Sequence, residues 1–180
     1  MSPESAEELA RERALYDEAA EQFGGAIDRL VRSYERDPER QRDLRQEIHL
    51  ALWRSLARFD GRCSLRTWTF RVAHNVGATF ILRQRRARTS TLFSLEEVDD
   101  IPEPHPAEDT LDRGLLVQRL YSLIEQLTPG DRELVLLYLE GFDAAAIAEV
   151  TGRSASNVAT KIHRIKRLIA RRARAAESAR

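Results

Sequence analysis

Apolar residues recur at three- and four-residue steps along most of this chain, and the alternation expected of strands is almost absent. Phe23, Ile27, Leu30, Val31 and Tyr34 form the first stripe, which stops near Asp37-Pro38. A second helix is predicted over residues 39–58, with Leu44, Ile48, Ala51, Leu52, Leu56 and Phe59 on its apolar side; Asp60-Gly61 breaks it. Ser64 can cap a third helix reaching about residue 86, with Leu65, Trp68, Val72, Val76 and Phe80 inward. Residues 89–112 then carry Pro102, Pro104 and Pro106, each removing a backbone donor and restricting its predecessor, so an extended linker is predicted. Helical periodicity resumes near Arg113 with Leu116, Leu120, Leu123, Ile124 and Leu127. Thr128-Pro129-Gly130-Asp131 reads as a cap, a helix-opening proline and a first-turn acid. Leu134, Val135, Leu137 and Tyr138 form the expected buried face of the helix that follows, which Gly141 ends.

The most specific local pattern is in residues 143–169. Asp143 caps a short helix, Ile147 and Ala148 can pack closely, and Gly152 supplies a tight turn. Ser154 caps a longer helix with Val158, Ile162, Ile165 and Ile169 on one side. This is helix-turn-helix spacing. At about one hundred degrees per residue, the side opposite Val158 carries Ser156, Thr160, His163, Arg164 and Arg167, short donors and cations suited to a major groove and its phosphates. A plain helical hairpin with a solvated face is the bland alternative.

The expected fold is therefore all-α, with a helical domain over residues 1–88 (including an N-terminal arm), an acidic flexible linker over 89–112 and a second helical domain over 113–180. Charge sharpens the picture. Acids and bases balance at 29 each, yet residues 61–95 hold seven arginines and no acid, with Trp68, Phe70 and Phe80 interleaved and Phe59 just upstream. Residues 96–112 hold eight acids and no base, and bases dominate again from Arg153 onward. Cations over an aromatic-bearing surface can neutralise phosphates and offer bases a flat face. Two basic modules on a flexible connector, without fixed spacing, suggest two contacts on one long polyanion.

Other classes recede. No apolar run is long enough for a bilayer span and the N-terminus is acidic, so no membrane insertion and a cytoplasmic location are expected. Cys63 is the only cysteine, which rules out an internal disulfide and a cysteine-based zinc site; a half-buried loop role suits it. His49, His74, His105 and His163 are scattered, and there is no Gly-rich phosphate loop or nucleophile elbow. No enzyme activity, cofactor or metal is expected.

Further segments carry a resemblance. Asp43-Leu44-x-Gln46-Glu47-Ile48, Leu52-Trp53, Arg58-Phe59, Leu65-Arg66-Thr67-Trp68 and Arg71-Val72-Ala73-His74-Asn75 resemble region two of bacterial RNA polymerase sigma factors. Leu127-Thr128, Glu140-Gly141-Phe142 and Val158-Ala159-Thr160-Lys161-Ile162-His163-Arg164 resemble region four. Both modules in this order, with a short linker and no large additional domains, look like the extracytoplasmic-function (ECF) subfamily. The resemblance implies a transcription initiation factor whose partners are promoter DNA and core RNA polymerase, through the largest-subunit clamp helices and the flap; an anti-sigma factor is a candidate further partner. It implies polymerase contacts at Asp43, Gln46 and Glu47. It places the minus-ten promoter element against Phe59, Arg62, Trp68, Arg71, Val72 and Asn75. The minus-thirty-five element would meet Ser156, Thr160, Lys161, His163, Arg164 and Arg167.

On one helix, Trp68, Arg71 and Asn75 share a face, which fits a stacking platform beside hydrogen-bonding groups, although a tryptophan there is more often core. Thr79, Leu82, Ala146 and Ala159 depart from residues common in the family. The rival reading is a stand-alone helix-turn-helix regulator whose N-terminal domain senses a ligand or dimerises.

Overall fold

The computed structural model describes residues 3–91 and 113–178, and every regular element among them is helical. The N-terminal set is α1 (Pro3–Tyr34), α2 (Pro38–Leu56) and α3 (Leu65–Thr91). The C-terminal set is α4 (Arg113–Glu125), α5 (Pro129–Leu139), α6 (Ala144–Thr151) and α7 (Ala155–Ser178). Residues 92–112, with the three prolines, the acidic run and His105, lie outside the described residues.

Local chemistry fixes the helix starts. The Asp37 carboxylate accepts from the amides of Glu39 and Arg40 at 2.8 and 3.1 Å, with Pro38 at the first helical position where no donor is missed. Thr128 does the same for α5 through the Asp131 amide at 3.3 Å. Asp143 caps α6 through the Ala146 amide at 2.8 Å, and Gly152 closes that helix at φ +69°, where a side chain would be strained. Ser154 Oγ then accepts from the Asn157 amide at 3.3 Å, starting α7.

Two boundaries differ from the sequence expectation. The N-terminal arm is the first half of α1: residues 3–18 lack a continuous apolar stripe but are rich in Ala, Glu, Arg and Leu, whose helix propensity is high. At the other end, α3 runs through Thr91, three residues into the expected linker.

Three apolar clusters organise the interior. One, within the N-terminal set, gathers Ala19, Leu52 and Leu56 with Leu15, Tyr16, Phe59, Leu65, Trp68 and Val72 packed against them. Another, within the C-terminal set, joins Ile124, Leu127, Val135, Leu136 and Ile165. The largest crosses between the sets: Ile27, Leu30, Val31, Leu44, Ile48, Phe70 and Ala73 share it with Leu134, Leu137, Phe142, Ile147, Val150, Val158 and Ile162. The two helical sets therefore share one apolar core here.

That shared core explains which faces the sequence pattern misjudged. Helix α3 packs on α1 and α2 and also on α6, so Phe70 and Ala73, off the expected stripe, are completely enclosed, and the Phe70 ring meets Phe142 edge-on at 5.0 Å. Helix α5 packs on α1 as well as α7. Its buried residues accordingly include Arg132 and Glu133, whereas Tyr138, expected inward, is 39% exposed.

The seam between the sets is polar as well as apolar. Glu133 accepts from the Tyr34 hydroxyl and lies 2.5 Å from His74 Nδ1. Arg132 donates to the carbonyls of Ser33 at 2.7 Å and Leu127 at 3.0 Å. Arg29 pairs with Glu140 at 2.6 Å. Arg66 lies 3.9 Å over the Phe142 ring and donates to the Glu140 carbonyl. Buried pairs of this kind mainly specify geometry, because desolvation offsets much of their attraction.

Candidate nucleic-acid interface

On α2 the sequence-predicted polymerase contacts share a face. Asp43 and Gln46 are exposed, while Glu47 is half-buried and bridges Arg83 of α3 at 3.0 Å. Between the two helices runs an open groove lined by Glu47, Leu50, Arg54, Asn75, Thr79 and Arg83. The half-exposed Leu50 gives this polar groove an apolar spot.

The six residues assigned to the minus-ten element divide in the structure. Phe59, Trp68 and Val72 are drawn together as packing residues. The Phe59 and Trp68 rings meet edge-on at 5.5 Å, and the Trp68 indole N–H donates to Ser55 Oγ at 2.9 Å. Trp68 is thus half-buried with its polar edge engaged, a core residue at the domain margin rather than a free-standing platform. Arg62 is exposed on the loop that Gly61 turns at φ +75°, its Nε 3.1 Å from the Asp60 carboxylate. Asn75 is exposed mid-helix, its carbonyl accepting from the Thr79 hydroxyl at 2.8 Å. Arg71 is taken up by α6: its guanidinium pairs with the Glu149 carboxylate at 2.7 Å. An arginine so paired is not free to meet a phosphate in this conformation.

In the C-terminal set, Val158, Ile162 and Ile165 are buried and turn the opposite side of α7 outward. Ser156, Thr160, His163, Arg164 and Arg167 all lie exposed on that side. Lys161 sits at its edge, half-buried, donating to Asp131 of α5 at 2.8 Å; Arg164 approaches the same carboxylate at 3.7 Å. Asp131 is therefore a positioning residue that the sequence marked only as a first-turn acid. The sequence reading missed Glu133 and Glu149 altogether, and took Glu140 only as part of a motif, without its partners Arg29 and Arg66. Their partners lie 59 to 111 residues away, beyond any local periodicity.

Burial sets the protonation of two side chains. Enclosure pushes the Tyr34 hydroxyl well above the usual tyrosine range, and the adjacent Glu133 carboxylate adds to the effect, so the phenol stays protonated as a donor. Burial lowers the pKa of His49, partly opposed by Asp28; its Nδ1 lies 3.0 Å from the Tyr16 hydroxyl. Among the described residues no group of His, Cys, Asp and Glu is arranged to hold a metal ion, and no helix is long and apolar enough to cross a membrane.

Comparison with known proteins places these two helical sets. Residues 19–87 match the family model for sigma-70 region 2, and residues 117–169 match that for sigma-70 region 4, together about two-thirds of the chain. Among curated relatives, the ECF RNA polymerase sigma factor SigX of Bacillus subtilis is 26% identical over 132 residues, covering 72% of this chain and 68% of that protein. The ECF RNA polymerase sigma factor SigK of Mycolicibacterium vanbaalenii is 28% identical over 151 residues, 82% of this chain and 72% of that one. Two solved structures share the fold. CnrH, in complex with the cytosolic domain of CnrY, superposes with a TM-score of 0.63 at 22% identity, covering 94% of each chain. The sigma factor RpoE of Bartonella quintana, in complex with the anti-sigma factor NepR, gives 0.63 at 20% identity, covering 86% of this chain and 93% of that one.

Proposed function

We propose, from the premise that this chain belongs to the sigma-70 family as an extracytoplasmic-function sigma factor, that α3 with the 59–64 loop opens the minus-ten element while α7 reads the minus-thirty-five element. As a member of that family it is a promoter-directing transcription initiation factor and not an enzyme; the polymerase supplies the chemistry. Core RNA polymerase and promoter DNA are its partners, with the exposed Asp43–Gln46 face of α2, beside Glu47, meeting the clamp helices and the C-terminal set meeting the flap. The chain works in the cytoplasm, where polymerase is. An anti-sigma factor is a further partner by analogy with the two structural neighbours, RpoE solved with the anti-sigma factor NepR and CnrH with the cytosolic domain of CnrY.

The observation that carries this reading is the outward face of α7. Short donors and cations project from a helix whose other side is sealed by Val158, Ile162 and Ile165, behind a left-handed Gly152 turn. That geometry admits the helix to a major groove and lets Arg164 and Arg167 reach base edges or flanking phosphates. In the N-terminal set, Arg62 on the 59–64 loop and Asn75 on α3 offer exposed polar groups to an unstacked strand, while Phe59 and Trp68 pack beneath that surface.

Transcription in vitro with core polymerase tests the proposal. Specific initiation requires both this chain and core enzyme, and the chain alone binds promoter duplex weakly. Tight, site-specific binding by the free chain, with no gain on adding core enzyme, would favour the stand-alone regulator instead.

A further inference from the structure

A single carboxylate holds two cations of α7. Asp131 Oδ1 accepts from Lys161 Nζ at 2.8 Å, and its Oδ2 faces a guanidinium nitrogen of Arg164 at 3.7 Å. The Asp131 side chain is only 14% exposed. It stands in the first turn of α5, where Thr128 bonds its amide and the helix dipole favours a negative charge. Val135 and Leu136 of α5 pack in one cluster with Ile165 of α7. The carboxylate therefore keeps a fixed place beside α7 rather than moving with a loop.

The two cations are held differently. Lys161 is half-buried and in full ion-pair contact, so its charge is neutralised within the protein. The Arg164 side chain is 73% exposed, and at 3.7 Å it is restrained without a complete hydrogen bond. At about 100° per residue, Arg164 lies between Lys161 and the outward centre of the face, marked by Thr160, His163 and Arg167. A carboxylate behind such an arginine has two effects. It limits the orientations of the guanidinium, leaving the far edge of the fork for a guanine. It also repels phosphate, which makes the nearby backbone a poorer alternative to the base edge.

We infer that Asp131 determines specificity as a positioning residue: it keeps Lys161 off the DNA backbone and turns Arg164 from phosphates towards a base edge, so that non-specific affinity is lowered and discrimination raised. Specificity then comes partly from a repulsive group set against the wrong contact. The inference rests on reading α7 as the minus-thirty-five helix. It also reassigns Lys161, expected as a promoter contact, to an internal strut.

The test removes the Asp131 charge with little change of shape, as Asp131→Asn in the full chain. Fluorescence anisotropy follows binding to a labelled random-sequence duplex of about 20 base pairs over a series of salt concentrations. Asp131→Asn should bind about three- to tenfold more tightly than the parent, with a logarithmic salt slope steeper by about one to two. Glu8→Gln, which removes the same charge from an exposed site on α1, should change affinity less than twofold. Lys161→Gln should leave the parent's salt slope unaltered. With core polymerase, Asp131→Asn should lose about fivefold or more of its preference at one position of a promoter library randomised over the minus-thirty-five element. A gain in duplex affinity no larger than that of Glu8→Gln overturns the inference, as does a salt slope that falls by about one in Lys161→Gln. So does a uniform fall in transcription across the library, which a weakened α5 alone would give. Failure of the underlying reading looks different, because the parent with core polymerase would itself show no preference over the randomised element.

Discussion

The ring of Tyr34 lies directly against the backbone of Gly77, in the space a Cβ atom would fill. Gly77 sits mid-way along α3, where glycine costs about 1 kcal/mol against alanine. The ring it admits carries the hydroxyl that reaches Glu133 across the seam, so a local loss of helix propensity secures a long-range contact. Gly77→Ala should therefore destabilise the chain by about 1–2 kcal/mol despite the better helix former, because overpacking a closed site costs about 1–3 kcal/mol. Urea denaturation measures this. A variant at least as stable as the parent would mean that Tyr34 swings aside freely.

The stripes at Leu44, Ile48, Leu52 and Leu56 and at Val158, Ile162 and Ile165 were legible because each keeps helical spacing along a single helix, whichever cluster its members join. So were the caps at Thr128, Asp143 and Ser154, which act within four residues. Phe70, Ala73, Arg132 and Glu133 were not, since their burial comes from the other half of the chain. A charged residue at a helical position reads as solvated unless its partner is known, and for Glu133 those partners are 59 and 99 residues away. The outward, polar face of α7 was visible from periodicity alone. The engagement of Arg71 by Glu149 was not, because nothing local distinguishes that arginine from Arg62.

Trp68 and Asn75 should separate cleanly in mutagenesis. Trp68 packs with Phe59 and bonds Ser55, so Trp68→Ala should lower folding stability by about 3–5 kcal/mol, the range for removing a large aromatic. Asn75 is exposed with no packing to lose, so Asn75→Ala should leave the melting temperature unchanged or slightly raised while impairing promoter opening. Permanganate reactivity of unpaired thymines, measured beside circular dichroism, reads both. Normal opening by Asn75→Ala on linear and supercoiled templates would remove Asn75 from the strand-binding surface.

His49 gives the fold an acid sensitivity of known sign. Burial lowers its folded-state pKa below the ordinary 6.5, so the unfolded chain binds a proton more readily. The stability that depends on neutral His49 is present above about pH 6.5 and is lost as pH falls from there through the folded value. Melting temperature should drop between pH 7.5 and pH 5.5, and His49→Gln should flatten that drop, with Asp28, Arg45 and Tyr16 around it unchanged. An identical pH profile for the variant would assign the acid sensitivity to other groups.

Arg164 and Lys166 separate base reading from charge on α7. Arg164 projects from the outward face, with its side chain 73% exposed and only a 3.7 Å approach to Asp131. A guanidinium held loosely there can turn into a groove and fork onto a guanine edge. Lys166 lies instead over the Tyr138 ring, its ammonium 5.0 Å from the ring centre and 3.3 Å from the hydroxyl, away from the reading face. Arg164→Ala should cost about 1–3 kcal/mol and relax preference at one position of the minus-thirty-five element. Lys166→Ala should weaken all promoters alike and reduce their salt dependence. Transcription from a promoter library randomised over that element, at two salt concentrations, distinguishes the two. If Arg164→Ala lowers every promoter by the same factor, its guanidinium holds a phosphate, and base reading passes to Ser156, Thr160 and His163 on the same face.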